Sequence, residues 1–385
     1  MKRSISSPRR PFSRTAFTVT LVRYISLMAL LALTAYPQRP PDIRLNAASN
    51  REVVEGAIRA INKYYVSAEV AKQLETGLRS RLKRGDYDKI TSAFDLVDAL
   101  DASLFEISKD AHLKLAYSHR PGPRVTGEPS ISPDTPDKLN EEQKAARENN
   151  FGFAKVEILP GNVGYLAMSS FERPVFSGET TGTAMSFLSN TDALIIDLRS
   201  SRGGSADMAV FLASYFFDGA EPFRLGDWYT RAENGIQQCW TYPFVPGSRY
   251  LNKPVYILLS RRSFSAVEGF TSIMQYHKRA VIVGEPTRGG THPGSFVPVH
   301  PNFAVFVPLS WFIYPAGTPV YPIGRPVFPA EKTDFRGEGI KPDVAVPAAQ
   351  ALKAAQISAL EERVKRNAAL KEDLQPVIDG LKNQD

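Results

Sequence analysis

The pattern of apolar and polar positions is clearest over residues 255–290. The apolar run Val255–Leu259 is typical of a buried strand, and a polar turn follows it. From Ser265 the apolar residues recur at helical spacing, and the run 280–283 predicts the next strand. Ser265 therefore lies where a strand passes into a helix. Backbone N–H groups at a helix start are unpaired and favour negative charge.

The hydroxyl of Ser265 has two interpretations. A nucleophile in this position would attack a carbonyl whose oxygen is held by the N–H groups of the helix start. The simpler interpretation is a helix N-cap, a position that serine prefers. This stretch alone favours the cap, because capping serines far outnumber nucleophiles.

A resemblance to a known family reverses that preference. The segments Ser263–Glu268 (SFSAVE) and Val283–Thr287 (VGEPT) resemble the nucleophile region of the C-terminal processing (tail-specific) peptidases. The closer branch is the one without a PDZ domain, which includes the tricorn protease core and interphotoreceptor retinoid-binding protein. The resemblance implies that Ser265 is the nucleophile of a serine peptidase.

The region before the core is predicted to be helical and then to carry the general base. Helical spacing of apolar residues predicts a three-helix bundle over 50–107. A short strand is predicted after it, within 108–117. The resemblance implies that Asp110-Ala111-His112 is the family's Asp-x-His motif, with His112 as the base. A neutral imidazole is suited to this role because its ordinary pKa lies near neutrality. Without the serine motif, a lone histidine in a strand would be read as structural.

The segment 151–347 is predicted to be an α/β core. Two hairpin strands over 156–167 precede a helix near 183–188 and a strand over 193–199. Strand, strand, helix is the repeating unit of the crotonase-like superhelix. The resemblance implies a crotonase-like ββα core with the N-terminal three-helix bundle attached to it.

Residues 197–204 (DLRSSRGG) match the family's Asp-x-Arg-x-Asn-x-Gly-Gly, with Ser201 in place of the asparagine. Glycine has no Cβ, so its backbone can approach a substrate carbonyl closely. The resemblance implies an oxyanion hole formed by the N–H of Ala266 and that of Gly203 or Gly204. The simpler interpretation of the Gly-Gly pair is an ordinary turn. No Lys-Ser or Lys-Thr follows the glycines, which excludes a phosphate loop.

Two positions depart from the family pattern. The serine–lysine branch has a lysine 25 residues after the nucleophile, where this chain has Gly290, so a lysine base is excluded. The serine–histidine branch has a glutamate near its end, where this chain has Arg336. Alternate residues of a strand share a face. Glu338 is therefore predicted as the carboxylate that orients the base, with Asp334 as the alternative.

Charge and leader composition predict the compartment. The formal charge is +7, and residues 1–35 carry six Lys or Arg and no acid, so the remaining chain is near +1. No nucleic-acid partner is inferred from so small a charge. The basic start and the apolar run 25–35 predict a signal peptide, and hence export to a bacterial periplasm or the extracellular space. The alternative is a disordered basic tail. The apolar run is shorter than the roughly 20 residues of a membrane span, so no stable span is predicted after cleavage.

The remaining segments are predicted to be connections and surface elements. Residues 36–49 are predicted to be a linker, and residues 119–150 a mobile linker or surface excursion that is too short for a PDZ domain. Residues 222–250 are predicted to form an irregular aromatic stretch, and residues 348–385 a tail of one or two surface helices. The lone Cys239 is predicted to pack in the fold. No cluster has metal-ligand spacing, so neither a metal nor another cofactor is predicted.

The leading hypothesis is an exported serine endopeptidase that cleaves peptides or unfolded proteins through a Ser-His acyl-enzyme. The alternative is a weak or inactive family member that binds hydrophobic ligands or peptides. Arg336 and the aromatic residues of 228–244 motivate it. A crotonase-type acyl-CoA enzyme rests on fold analogy alone and ranks last. The sequence leaves the natural substrate undetermined and a homo-oligomer open.

Overall fold

The computed structural model describes residues 40–122, 134–290, 292–314 and 338–383. Its helices are α1 (Ala47–Tyr64), α2 (Ala68–Arg84), α3 (Ala93–Ser108), α4 (Pro136–Glu148), α5 (Pro174–Leu188), α6 (Ala206–Ala213), α7 (Ala266–Tyr276), α8 (Ala351–Arg366) and α9 (Lys371–Lys382). Its strands are β1 (Lys114–Tyr117), β2 (Phe153–Leu159), β3 (Val163–Met168), β4 (Ala193–Asp197), β5 (Arg224–Thr230), β6 (Gly235–Trp240), β7 (Val255–Leu259), β8 (Val281–Gly284), β9 (Gly294–His300), β10 (Phe303–Pro308), β11 (Ser310–Ile313) and β12 (Val344–Ala345). All of these elements belong to the unit formed by residues 43–385.

The three predicted N-terminal helices are confirmed. Each begins with a side chain that accepts a hydrogen bond from the first turn, which satisfies one of its unpaired N–H groups. The capping residues are Asn46, Ser67 and Ser92. The apolar faces of these helices share one core with the antiparallel sheet β1–β10–β9. This packing fixes the segment between α3 and β1, which carries His112.

The α/β class is confirmed by a six-stranded mixed sheet in the order β12–β8–β7–β4–β3–β2. The predicted hairpin is its antiparallel pair β2–β3, and the other pairs are parallel. Strands β4 and β7 are fully buried, as expected of parallel strands with both faces covered, which is why they are continuous apolar runs. The assignment to the crotonase-like superhelix stays a prediction.

Alternate residues of the central strands enter two separate cores, because strand side chains alternate between faces. Leu194 and Ile196 pack with α5, α6 and α7. Ala193 and Ile195 pack with α8 and α9. The tail is therefore more than the predicted surface helices, since its small apolar residues cover one face of the sheet.

The predicted linker or surface excursion over 119–150 contains a helix, and the prediction of an irregular aromatic stretch is wrong. Helix α4 starts with the capping residue Thr135 and has Pro136 in its first turn. Only Ala146 of α4 is buried, so the sequence offers almost no apolar stripe to reveal it. The aromatic stretch contains the hairpin β5–β6, which β11 extends to a three-stranded sheet.

The predicted signal peptide, residues 1–35, lies outside the described residues. Within the ranges that the structure describes, no helix is long and apolar enough to cross a membrane.

Candidate active site

Ser265 lies between the turn after β7 and the first residue of α7. Its φ of 63° and ψ of −125° form a conformation that non-glycine residues rarely adopt. Such strain costs about 1–3 kcal/mol and clusters at functional sites. The backbone N–H of Ser265 donates to Glu268 Oε2 at 2.7 Å, and its carbonyl accepts from the Glu268 N–H at 2.7 Å. The Glu268 side chain thus reaches back over the first turn of α7 to the Ser265 backbone, as in a capping box.

Two serines tie the turn before Ser265 to the loop that carries the glycine pair. Ser260 Oγ donates to the carbonyl of Arg199 at 2.6 Å, and Ser263 Oγ donates to that of Leu198 at 2.9 Å. The start of the glycine loop is fixed in turn by an ion pair between Arg199 and Asp197 at 2.5 Å. The motif Asp-x-Arg therefore acts here as a support for the loop.

Gly203 lies directly against the nucleophile turn. A Cβ added to it would lie 2.7 Å from Ser265 Cβ and 2.8 Å from the Ala266 nitrogen. Its φ is 89°, which also favours glycine. In Gly204 a Cβ would collide with the Phe171 carbonyl. The N–H groups of Gly203, Gly204 and Ala266 have no protein hydrogen-bond partner within the described ranges. These are the properties that an oxyanion hole requires.

His112 is 7% exposed and lies beside the residue that precedes Ser265. Its ring stacks on Phe264 with centroids 4.3 Å apart. A Cβ at Gly290 would lie 2.7 Å from both Nδ1 and Cε1 of the imidazole. Glycine at this position therefore makes room for the histidine, and a lysine would compete with it for the same space. Neither ring nitrogen has a hydrogen-bond partner among the described residues, so no hydrogen bond joins His112 to Ser265.

The carboxylate beside His112 is Asp110, which is fully buried. Its Oδ1 accepts the backbone N–H of His112 at 2.9 Å and lies 3.9 Å from His112 Nδ1. Its Oδ2 accepts the Tyr65 hydroxyl at 2.9 Å and lies 3.8 Å from His292 Nδ1. Two histidines thus flank one carboxylate. In the sequence Asp110 is recognisable only as part of the Asp-x-His motif, and its position two residues before His112 was the signal for the local hydrogen bond.

Burial and charge set the protonation of this cluster. Burial lowers the pKa of His112 to about 4, although the negative charge of Asp110 acts to raise it. The imidazole is therefore neutral at pH 7, as a general base must be. Burial by itself raises the pKa of Asp110, but its interactions with His292 and with the His112 N–H outweigh burial and lower that pKa to about 2. Asp110 is therefore ionised at pH 7.

Glu268 holds the nucleophile turn to the loop that faces His112. Besides the Ser265 N–H, it accepts the Thr287 hydroxyl at 2.5 Å, the Gly289 N–H at 2.8 Å and the Gly290 N–H at 2.9 Å. Burial raises the pKa of Glu268 to about 7, although these donors oppose the rise. In the sequence Glu268 is recognisable only as the last residue of the serine motif, and no role was predicted for it.

Glu338, the predicted orienting carboxylate, is 75% exposed at its side chain, and its ion-pair partner is Lys341 at 3.6 Å. The alternative carboxylate, Asp334, and the departing residue Arg336 lie outside the described residues. The role of Glu338 therefore stays a prediction. The hydroxyl of Ser201, which replaces the family asparagine, is buried without a hydrogen-bond partner among the described residues.

An apolar cavity of about 220 Å³ opens beside Ser265, Ala266 and Gly204. Trp228 of the aromatic stretch lines it. Cys239 is free and buried, as its predicted packing role requires. Within the described part of the chain, no group of three or more His, Cys, Asp or Glu residues could hold a metal ion.

Two family models together match most of the chain. Residues 162–346 match the one described as peptidase family S41, and residues 43–160 match the one described as the N-terminal domain of peptidase S41 in eukaryotic IRBP. The nucleophile turn and the glycine loop fall in the first match, and His112 falls in the second.

Individual relatives share about a quarter of their residues with this chain or fewer. A carboxy-terminal-processing protease of Bartonella bacilliformis is 26% identical over 191 residues, which are 48% of this chain and 39% of that protein. The chloroplastic carboxyl-terminal-processing peptidase 2 of Arabidopsis thaliana is 24% identical over 139 residues, 34% of this chain and 25% of that protein. The chain thus spans less than two fifths of the length of these curated relatives. The solved photosystem II D1 C-terminal processing protease is 16% identical, with a TM-score of 0.44 over 78% of this chain and 94% of that chain.

Proposed function

The chain belongs to peptidase family S41, and from that premise we propose that it is an exported serine endopeptidase. The observation that carries the proposal is the strained turn of Ser265 against Gly203, with the imidazole of His112 stacked on the neighbouring Phe264. The nucleophile thus lies against N–H groups that have no partner among the described residues, and the neutral base lies beside the preceding residue.

The proposed reaction is peptide hydrolysis through an acyl-enzyme. Ser265 Oγ attacks the scissile carbonyl carbon while His112 accepts its proton. The carbonyl oxygen becomes an oxyanion and accepts hydrogen bonds from Ala266 and from Gly203 or Gly204. The C–N bond then breaks, and the imidazolium protonates the leaving amine. A water molecule, deprotonated by the same imidazole, hydrolyses the ester and returns Ser265 to its starting state.

We assign the positioning of the imidazole to Asp110 rather than to Glu338. The distance of 3.9 Å between Asp110 Oδ1 and His112 Nδ1 is longer than a hydrogen bond. Catalytic hydrogen bonds often tighten only when substrate binds. Asp110 is buried and ionised beside the ring, whereas the side chain of Glu338 is mostly exposed and faces Lys341. The missing glutamate at position 336 is thus replaced by a carboxylate two residues before the base.

Export and the nature of the substrate are also proposals. The basic, acid-free leader with its short apolar run supports export. The substrate is proposed to be a peptide or an unfolded protein, because an extended chain can bring its backbone against the glycine loop. The near-neutral charge after the leader supports a partner other than nucleic acid.

The test is the Ser265→Ala variant, assayed for cleavage of unfolded protein and of peptides. Ser189→Ala is the matched control, because its hydroxyl only donates to the Ser186 carbonyl at an exposed helix end. Loss of cleavage in Ser265→Ala but not in Ser189→Ala is expected. Cleavage by Ser265→Ala at the parent rate would show that this serine is not the nucleophile.

The second candidate function is a binding module for hydrophobic ligands or peptides with little catalysis. The apolar cavity beside Ser265 and the absence of a hydrogen bond between His112 and Ser265 favour it. A fluorophosphonate probe separates the two functions, since covalent capture requires an activated hydroxyl and binding does not.

A further inference from the structure

The cavity beside Ser265 is continuous with the groups proposed to bind the reacting carbonyl. It is bordered by Ser265 itself, by Ala266 and by Gly204. Its volume is about 220 Å³. An engineered apolar cavity of roughly 150 Å³ is enough to bind benzene, so this one has room for an aromatic side chain.

Four aromatic side chains, those of Trp228, Phe306, Phe312 and Tyr314, line the cavity. Trp228 and Phe312 meet edge to face, with ring centroids 4.6 Å apart, and Phe312 meets Tyr314 in the same way at 5.3 Å. Phe306 closes another side. Such rings offer broad apolar surface and favour edge-to-face contact with another ring. The cavity is therefore suited to an aromatic or a large aliphatic group.

Two polar side chains of the cavity wall are already engaged. The Ser272 hydroxyl donates to the Gly269 carbonyl at 3.0 Å, and Tyr314 interacts with Ser272. Among the described residues that line the cavity there is no Asp, Glu, Lys or Arg. A charged side chain would lose its hydration here without gaining an ion-pair partner, which is costly. The cavity therefore favours a large side chain and disfavours a charged one.

In the proposed reaction, the residue before the scissile bond stays attached to Ser265 until water releases it. Its carbonyl oxygen faces Ala266 and the glycine loop throughout, and its side chain branches from the atom next to the carbonyl carbon. A cavity bordered by the nucleophile and by both sides of the oxyanion hole is within reach of that side chain. The leaving residue, by contrast, departs after the first step.

We propose that this cavity binds the side chain of the residue on the acyl side of the cleaved bond, and that it restricts cleavage to peptides with a large apolar residue there, aromatic before aliphatic. This specificity rests on the proposed peptidase function. A hydrophobic pocket discriminates by about 10- to 200-fold between substrates that differ by one methylene. A substrate with phenylalanine at this position should therefore react about 100-fold or more faster than one with alanine.

Gly269 offers a way to fill the cavity without disturbing the fold. It belongs to α7 and lines the cavity, and a Cβ added to it would meet no atom of the described residues within 4 Å. A leucine at this position would therefore occupy the space proposed for the substrate side chain. Gly380 is the matched control, because it too is in a helix, α9, and a Cβ there also meets none of the described atoms within 4 Å.

The experiment measures the rate at which peptidyl diphenyl phosphonates label the full chain, with Phe, Leu, Ala or Glu as the acyl-side residue. In each reaction an Oγ–P bond forms and a phenoxide leaves, which takes up the serine proton. The parent is expected to react fastest with the Phe probe and slowest with the Glu probe. Gly269→Leu should slow the Phe probe by at least about 20-fold and change the Ala probe by less than about threefold. Gly380→Leu should behave as the parent.

The outcomes separate the inference from the function on which it rests. Labelling of Ser265 by all four probes at similar rates would overturn the specificity and leave the peptidase function standing. Equal slowing of every probe by Gly269→Leu would show that the acyl-side residue does not bind in this cavity, and it would leave the peptidase function standing. No labelling by any probe would refute the peptidase function, and the specificity with it. The parent series needs no variant, so it decides the question even if Gly269→Leu is poorly folded.

Discussion

Gly203→Ala tests whether the glycine loop forms the oxyanion hole. The new methyl group would lie 2.6 Å from the Phe264 carbonyl oxygen, 2.7 Å from Ser265 Cβ and 2.8 Å from the Ala266 nitrogen. All three distances are shorter than a Cβ tolerates, so the nucleophile turn and the loop must move apart. The φ of 89° adds the strain of a left-handed alanine, about 1–2 kcal/mol.

Catalysis should suffer more than stability. Loss of one oxyanion donor lowers kcat by roughly 10²–10³-fold. Left-handed strain of about 1–2 kcal/mol and overpacking of about 1–3 kcal/mol together stay below the roughly 5–15 kcal/mol that stabilise a typical domain, so the variant should stay folded. The assay combines kcat on a peptide substrate with thermal unfolding followed by circular dichroism.

Gly178→Ala is the control for the Gly203 variant. Gly178 lies inside α5, and the nearest atom to an added Cβ is Phe211 Cζ at 3.7 Å, an ordinary contact. Alanine should stabilise this helix by roughly 0.5–1 kcal/mol and leave kcat unchanged. The reasoning is refuted if Gly203→Ala is folded and retains kcat within about threefold of the parent.

Three other predictions concern the buried carboxylates and the base. Asp110→Asn should lower kcat by at least about tenfold, because the imidazole loses its positioning charge. Glu338→Gln should leave kcat unchanged. The reverse pattern would restore Glu338 as the orienting residue. Glu268→Gln should lower kcat and also cost about 2–3 kcal/mol in denaturant unfolding, since its amide group would face N–H donors; an unchanged midpoint would contradict this. The kcat/KM of the parent should fall as pH drops through about 4 rather than through 6.5. Burial lowers the pKa of His112, and only the neutral ring accepts the proton. An acid limb near 6.5 would show that the base is not buried in this way.

The strand–turn–helix that carries Ser265 could be predicted because its apolar runs are long and uninterrupted. The predicted strand Val255–Leu259 has the bounds of β7, and the helix begins one residue after Ser265. Helix α4 was missed for the opposite reason, since its surface is almost entirely polar and its only strong signals are the cap Thr135 and Pro136.

The surroundings of the base depend on contacts between distant parts of the chain. Asp110 meets His292 only because the sheet β1–β10–β9 and the loop before β9 bring these segments together. Glu268 reaches Gly289 and Gly290 across a turn of helix and a strand. Local patterns contain neither contact, so the sequence pointed to Glu338 by analogy with a family position.

The most direct test of the account is covalent capture of the nucleophile. The full chain is treated with a labelled fluorophosphonate, and the adduct is located by mass spectrometry of its proteolytic fragments. A single adduct on Ser265 is expected, with labelling strongly slowed in His112→Ala and unchanged in Ser189→Ala. An unlabelled chain, or an adduct on another residue together with cleavage that survives Ser265→Ala, would contradict the account.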